Sequence, residues 1–369
     1  MRHQINRGKR WVIKIGTSSL TAADGRFSDR NLENLVSQIA MLMRQKIQVI
    51  LVSSGAIALG MDTLHQTKRP VLLPDLQACA AIGQGKLMKA YEEAFSRFGY
   101  HTAQILLTQD GLQDRVRYVN AKKTICALLK MGAVPVVNEN DTVATEEIRF
   151  GDNDILAAQV ANLVEANLLI FLSDIDGLYL KDKTIIRQIK SEEELKEYAA
   201  HIHPKKSEKT AGGMKTKLAA AQVAMRSGIP IVLANGRDER IVERILKGEE
   251  VGSLFFPLGK KTSSLKNWLA HSASTNGTLF LDAGAYRALT EGKKSLLATG
   301  ISKCTGNFKL GDVVDVADQN SQVFARGLIN YSRDEMMKIK GRKAQEIDAI
   351  LGYKRSDEVI HRNNLVFLK

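Results

Sequence analysis

Ala133-Val134-Pro135-Val136-Val137-Asn138-Glu139-Asn140-Asp141 runs from an uninterrupted apolar stretch straight into four polar residues. An apolar run without polar alternation reads as a strand buried on both faces. Polar side chains at the C-terminal end of such a strand stand where open α/β sheets hold ligands. A second cluster, Gly151-Asp152-Asn153-Asp154, follows after Glu146 and Glu147. Asn offers donors and acceptors, whereas Asp offers only acceptors and charge. The mixture suits a zwitterionic ligand with an ammonium and carboxylates, and equally suits lysine- or magnesium-assisted phosphate chemistry. A turn-rich acidic surface loop accounts for one such cluster, but less readily for a pair placed in this way.

Outward from this stretch the same texture repeats. Apolar runs at 11–15, 47–52, 102–107, 134–137, 168–172 and 229–234 alternate with helical patterns, among them 29–45, 155–165 and 216–227. Strand–helix alternation predicts an α/β domain over residues 1–258, with an open, mainly parallel sheet sandwiched by helices. Residues 181–209, rich in Lys and Glu, read as a surface excursion with one helix near 192–200. Residues 259–276 read as a linker, with a short helix near 265–269. Short β-like runs separated by Gly or Asp then predict a small β-rich domain over 277–369.

The composition is that of a globular protein, with 44% hydrophobic and 25% charged residues in 369. Lys plus Arg number 53 against 40 Asp plus Glu, a net charge of +13 that favours anionic ligands. Cys79, Cys126 and Cys304 are too scattered for a zinc site or a disulfide framework, which fits a reducing cytoplasm. His201 and His203 lack a third ligand nearby, so no metal site is expected. No apolar stretch approaches membrane-spanning length.

Three loops could cradle phosphate. Lys14-Ile15-Gly16-Thr17-Ser18-Ser19 ends the first strand, and Ser53-Ser54-Gly55-Ala56 ends the second. Ala211-Gly212-Gly213-Met214-Lys215-Thr216-Lys217 opens a helix. Glycine lets backbone amides approach an anion, and a helix N-terminus favours negative charge. The Walker, dinucleotide, zincin, hydrolase-elbow and protein-kinase spacings are all absent. Phosphoryl transfer fits what is left, since it needs mainly positioning and cationic stabilisation, here by lysines drawn from distant parts of the chain.

On the paired clusters, the Lys14 and Ser53–Ala58 segments, Ser173-Asp174 with Gly177-Leu178-Tyr179, the 211–217 loop and residues 345–351, the chain resembles the amino acid kinase family, in its glutamate-phosphorylating branch with a C-terminal PUA domain. That resemblance implies ATP-dependent phosphorylation of the L-glutamate γ-carboxylate, the first step of L-proline synthesis. It implies that Ser54, Asp141 and Asn153 bind glutamate. Ser173, Asp174, Ala211, Gly212, Gly213, Met214, Lys215, Thr216 and Lys217 would hold ATP together with Lys14. Lys14 and Lys217 would stabilise the transferring phosphoryl group, and Asp154, with Asp152 as the other candidate, would orient them. Magnesium would ride on the ATP phosphates. Feedback inhibition by L-proline, RNA contact through the PUA-like tail and a homodimeric or tetrameric assembly are further expectations of the resemblance. Ser173 and Ala211 depart from the Thr expected at both positions, which puts the Ala211 side-chain contact in doubt. Two other readings stand beside it: a sister kinase acting on acetylglutamate or aspartate, and an RNA-binding protein with a vestigial kinase domain.

Overall fold

A computed structural model describes residues 8–22, 25–143, 153–180, 182–201, 213–259, 263–292 and 294–368. The chain forms two compact units, residues 1–112 with 118–262, and residues 113–117 with 263–369.

The first unit is built on an eight-stranded sheet. Its strands are β1 (Arg10–Ile15), β2 (Gln48–Ser53), β3 (Thr102–Leu107), β4 (Val134–Glu139) and β5 (Leu168–Ser173), then β8 (Gln188–Ile189), β9 (Ile231–Asn235) and β10 (Ser253–Phe255). A separate two-stranded ribbon pairs β6 (Leu178–Tyr179) with β7 (Ile185–Ile186). The spatial order is β3-β4-β2-β1-β5-β9-β10-β8, and every neighbouring pair is parallel except β9 with β10. All six predicted strands are present, each within two residues of the expected ends. The 181–209 segment is more than a surface excursion, because Gln188 and Ile189 pair with β10 and extend the sheet edge.

Period-two alternation divides the side chains of β1 between two layers. Trp11, Ile13 and Ile15 enter one apolar core with Leu35 and Ile39 of the helix Asp29–Arg44 and with Leu51, Ile170 and Leu172. Val12 and Lys14 therefore point to the other face, against which the helix Asn153–Leu163 packs. The helix Met214–Arg226 packs against that helix in turn. The chain leaves β1 toward β2 on one side and returns as β5 on the other. The C-terminal end of β1 is therefore the switch point at which open sheets bind ligands.

Helices Ala56–Thr63 and Leu73–Ser96 meet backbone to backbone. A Cβ added at Gly60 would lie 1.8 Å from the Cys79 carbonyl oxygen, and one at Gly83 would lie 1.8 Å from that of Ala56. Only glycine permits this approach. It sets the position of the long helix beside the ends of β2 and β4.

The second unit carries a five-stranded sheet ordered β13 (Ile301–Gly306), β11 (Gly277–Leu281), β14 (Val313–Ala317), β15 (Val323–Leu328) and β17 (Leu365–Phe367). A short pair joins β12 (Leu296–Leu297) to β16 (Glu358–Ile360). A 3-10 turn at Arg362–Asn364 separates β16 from β17. Leu279, Leu281, Val314, Val316, Tyr331 and Met336 form its core. The short helix expected near 265–269 is present as a capped helix, Ser264–His271, whose Trp268 and Leu269 are buried and which groups with this unit.

Candidate active site

Lys14 is the only charge in β1 after Arg10, and its side chain leaves the penultimate position of a central strand. Asp154 sits in the first turn of the helix Asn153–Leu163, where a carboxylate complements the helix dipole. Lys217 lies in the first turn of the helix Met214–Arg226. The fold brings these three together. Lys14 Nζ is 2.6 Å from Asp154 Oδ1, and Lys217 Nζ is 3.0 Å from Asp154 Oδ2. Asp154 is fully buried, while Lys14 and Lys217 are only 3% and 9% exposed. One carboxylate thus holds two ammonium groups that come from positions 203 residues apart, since 217 − 14 = 203. The desolvation of such a cluster is costly and is offset only by close pairing. The net positive charge that remains faces the strand ends, where an anion would be stabilised.

Next to it lies a chain of amides and hydroxyls. Asn153 is buried, and its Nδ2 is 2.9 Å from the Ser53 carbonyl oxygen, 3.1 Å from Ser54 Oγ and 2.8 Å from Asn138 Oδ1. Asn138 Nδ2 donates in turn to Gln84 Oε1 at 2.8 Å. Ser54 follows β2 and is tied to β1 by its backbone amide on the Ile15 carbonyl. Gly55 then turns the chain at φ 112° into the helix Ala56–Thr63, a left-handed conformation that suits glycine. Ser53 Oγ lies 2.8 Å from the hydroxyl of Tyr91, and burial pushes that phenol's pKa up, so it stays neutral.

Asp141 is half-buried just past β4. Burial raises its pKa from 3.8 to about 6, opposed by the charge of Arg69. Stability from this shift is fully present below the unfolded value of 3.8, and is lost as pH rises through about 6. An ionised Asp141 at neutral pH is therefore a standing cost that an ammonium ligand would relieve. Asp141→Asn should raise the melting temperature of the free protein at pH 8 and weaken binding of a ligand whose ammonium faces it, read by thermal unfolding and steady-state kinetics. In the parent protein, kcat/KM for a substrate held in this way should climb with pH through about 6. A flat profile from pH 5 to 7 would remove Asp141 from the site.

At the other side of β1, Ser173 ends β5, and its hydroxyl donates to Asp174 Oδ1 at 3.2 Å. Asp174 is exposed. Gly213 caps the helix Met214–Arg226, and the Thr216 hydroxyl donates to the Gly213 carbonyl oxygen at 2.7 Å. Met214 and Lys215 occupy the same first turn. Ala211, Gly212 and Asp152 lie outside the described residues. The residues read from the sequence thus fall into two neighbourhoods on either side of the Lys14–Asp154–Lys217 cluster. Ser54, Asn153 and Asp141 follow β2 and β4, whereas Ser173, Asp174 and the start of the helix at Met214 follow β5 and precede β9. Sequence reasoning missed Gln84, Tyr91 and Arg69. A signal for the first was available in Gly83, since a glycine inside a helical pattern often marks a close backbone approach.

In the second unit, Tyr286 and Phe324 meet edge to face at 4.8 Å and Phe324 stacks with Phe367 at 6.2 Å, with Arg362 5.0 Å over the Phe367 ring. The sequence showed no aromatic series there, because these rings lie far apart along the chain. Arg326 binds Asp315 and the carbonyls of Leu269 and Ala273.

The model of the amino acid kinase family matches residues 9–235, and that of the PUA domain matches residues 277–351. The chain belongs to the amino acid kinase family. Among its relatives, the glutamate 5-kinase of Caldanaerobacter subterraneus subsp. tengcongensis is 49% identical over 98% of both chains. That of Pseudomonas putida is 45% identical over the full length of both. In fold, this amino acid kinase is similar to the carbamate kinase of Giardia lamblia bound to AMP-PNP, with a TM-score of 0.50 at 17% identity, covering 69% of this chain and all of that one. The open parallel sheet and the β-rich PUA unit are the architecture expected from the sequence.

Proposed function

We propose that the protein is a glutamate 5-kinase, phosphorylating the γ-carboxylate of L-glutamate with ATP in the first step of L-proline biosynthesis. Full-length relatives of that name support the reading at 45–49% identity. The observation that carries the mechanism is the pair of contacts from Lys14 and Lys217 to Asp154, at 2.6 and 3.0 Å. Asn153, Ser54 and Asp141 would hold the amino acid, with Asp141 facing its ammonium. Ser173, Asp174 and the first turn at Met214–Lys217 would hold ATP.

A γ-carboxylate oxygen attacks the γ-phosphorus of ATP. A new O–P bond forms as the bond to the β,γ-bridging oxygen breaks, and ADP leaves with that electron pair. No general base is required, because the γ-carboxylate is already ionised near neutral pH. Lys14 and Lys217 meet the charge on the three non-bridging oxygens in a water-poor site, where fixed charges act most strongly. Asp154 keeps them apart and aimed. Both of its oxygens are engaged by lysines, and no three His, Cys, Asp or Glu side chains converge as a metal cage among the described residues. Magnesium carried on the ATP phosphates would neutralise charge there.

The same reading includes inhibition by L-proline, whose ammonium suits the acceptors that hold glutamate and whose carboxylate needs the donors that do, and assembly as a dimer or tetramer. For the PUA unit, contact with RNA is part of the same reading and rests on the family match.

Trapping tests the substrate. With ATP, Mg²⁺ and hydroxylamine, L-glutamate should yield the γ-hydroxamate, whereas N-acetylglutamate and aspartate should give little. Hydroxamate from either of those acids but not from glutamate would transfer the assignment to a sister kinase. ADP release with no acceptor would leave only a stray ATPase.

A further inference from the structure

Asn153 offers either an oxygen or a nitrogen to a ligand, and which one it offers is decided by its neighbours. Two backbone groups settle the matter, because their roles are invariant. The Ser53 carbonyl can only accept, so the atom of Asn153 lying 2.9 Å from it is the nitrogen. The Glu139 amide can only donate, so the atom of Asn138 lying 2.9 Å from it is the oxygen. Asn138 Oδ1 then accepts from Asn153 Nδ2, and Asn138 Nδ2 must find an acceptor of its own, which is Gln84 Oε1 at 2.8 Å. The three amides run in one direction. At one end, Asn153 Oδ1 has no partner among the described residues. At the other, Gln84 Nε2 is buried and has none either. Leaving a buried N–H unpaired costs about 1–3 kcal/mol, so this orientation of Gln84 is held against a local penalty by the rest of the chain.

Gln84 reaches Asn138 because Gly83, the residue before it, allows its helix to lie against the backbone of Ala56. We propose that Gln84 is a positioning residue for the amino-acid substrate: by accepting from Asn138 Nδ2 it anchors the amide that holds Asn153, so that Asn153, its polarity set by the backbone, keeps its oxygen placed for the substrate ammonium. The proposal rests on the reading of Asn153 as a glutamate-binding residue. Gln84 acts through its oxygen and touches no substrate.

Gln84→Met keeps the length of the side chain and removes the acceptor. It should raise the glutamate KM about tenfold, the scale of one lost hydrogen bond, with kcat and the ATP KM within about twofold of the parent. Gln84→Glu keeps an acceptor for Asn138 Nδ2 and should restore the glutamate KM to within about threefold. Gln84→Met added to Asn153→Ala should cost no more than Asn153→Ala alone, since both remove the same contact. Thermal unfolding of each variant establishes that it is folded. A parent-like KM in Gln84→Met, additive losses in the double variant, or a Gln84→Glu as impaired as Gln84→Met would each overturn the proposal. In the last case the amide nitrogen would be what matters. Parent-like glutamate binding by Asn153→Ala would be a different failure, since it would overturn the reading of Asn153 and with it the relay.

Discussion

Asp154→Asn should lower turnover by about two orders of magnitude or more, while the KM values for glutamate and ATP change far less. Asn keeps the shape of the side chain and removes its charge. It leaves two ammonium groups, 3% and 9% exposed, without the carboxylate that now holds them at 2.6 and 3.0 Å. They would draw apart or bind solvent, and the phosphoryl oxygens would lose preorganised charge, whose removal typically costs 10²–10³ in kcat. The same change should destabilise the fold. Breaking one partner out of a buried ion pair costs about 3–5 kcal/mol, so the first unit should melt roughly 10 °C lower, at about 2–4 °C per kcal/mol for a domain of this size. Stopped turnover with an unchanged melting temperature would mean that the lysines are already solvated and that the cluster is looser than its geometry.

Gly83→Ala is expected to have the second largest effect, and it acts through packing alone. The added methyl would lie 1.8 Å from the Ala56 carbonyl oxygen and 2.5 Å from the Gly60 amide nitrogen. Neither atom can move aside like the end of a side chain, so the helices Ala56–Thr63 and Leu73–Ser96 must part. Overpacking of this kind costs about 1–3 kcal/mol and sometimes more. The loss should appear as a fall of roughly 5–10 °C in melting temperature. Because Gln84 and the Ser53–Gly55 turn are both carried by this helix pair, glutamate affinity should fall in the protein that still folds. Gly85, two positions on, has open space around its Cβ. Gly85→Ala should be neutral or stabilising, since alanine is the better helix former. Equal losses at the two glycines would point to backbone flexibility rather than close packing.

Much of this architecture was legible because parallel strands buried on both faces leave unbroken apolar runs, as in Leu168–Ser173 and Val134–Glu139. Lys14 stood out because a charge inside such a run has no structural reason to be there. The helix Leu73–Ser96 was not legible. It has three glycine-or-proline interruptions (Pro74, Gly83 and Gly85) and only a weak apolar stripe, since part of its face is closed by backbone rather than by large side chains. The strands β8 and β10 span two and three residues, too short for any periodicity.

In the site, the Asn and Asp clusters announced themselves by composition. Their supports did not. Gln84 and Tyr91 reach Asn138 and Ser53 across 54 and 38 residues of chain, and nothing local marks them. In residues 259–276 the short helix was legible, but not that Ser263 caps it and that it buries Trp268.

The claim at the centre of this account is that Lys14, Asp154 and Lys217 act as one unit on the transferring phosphoryl group. The turnover numbers of Lys217→Ala, Asp154→Ala and the double variant, measured at saturating glutamate and ATP, test it most directly. The account predicts that each single change costs about a hundredfold or more and that the double variant is no slower than the worse single one, as expected for residues acting together. Losses that multiply in the double variant, or a Lys217→Ala protein with the parent's turnover, would contradict it.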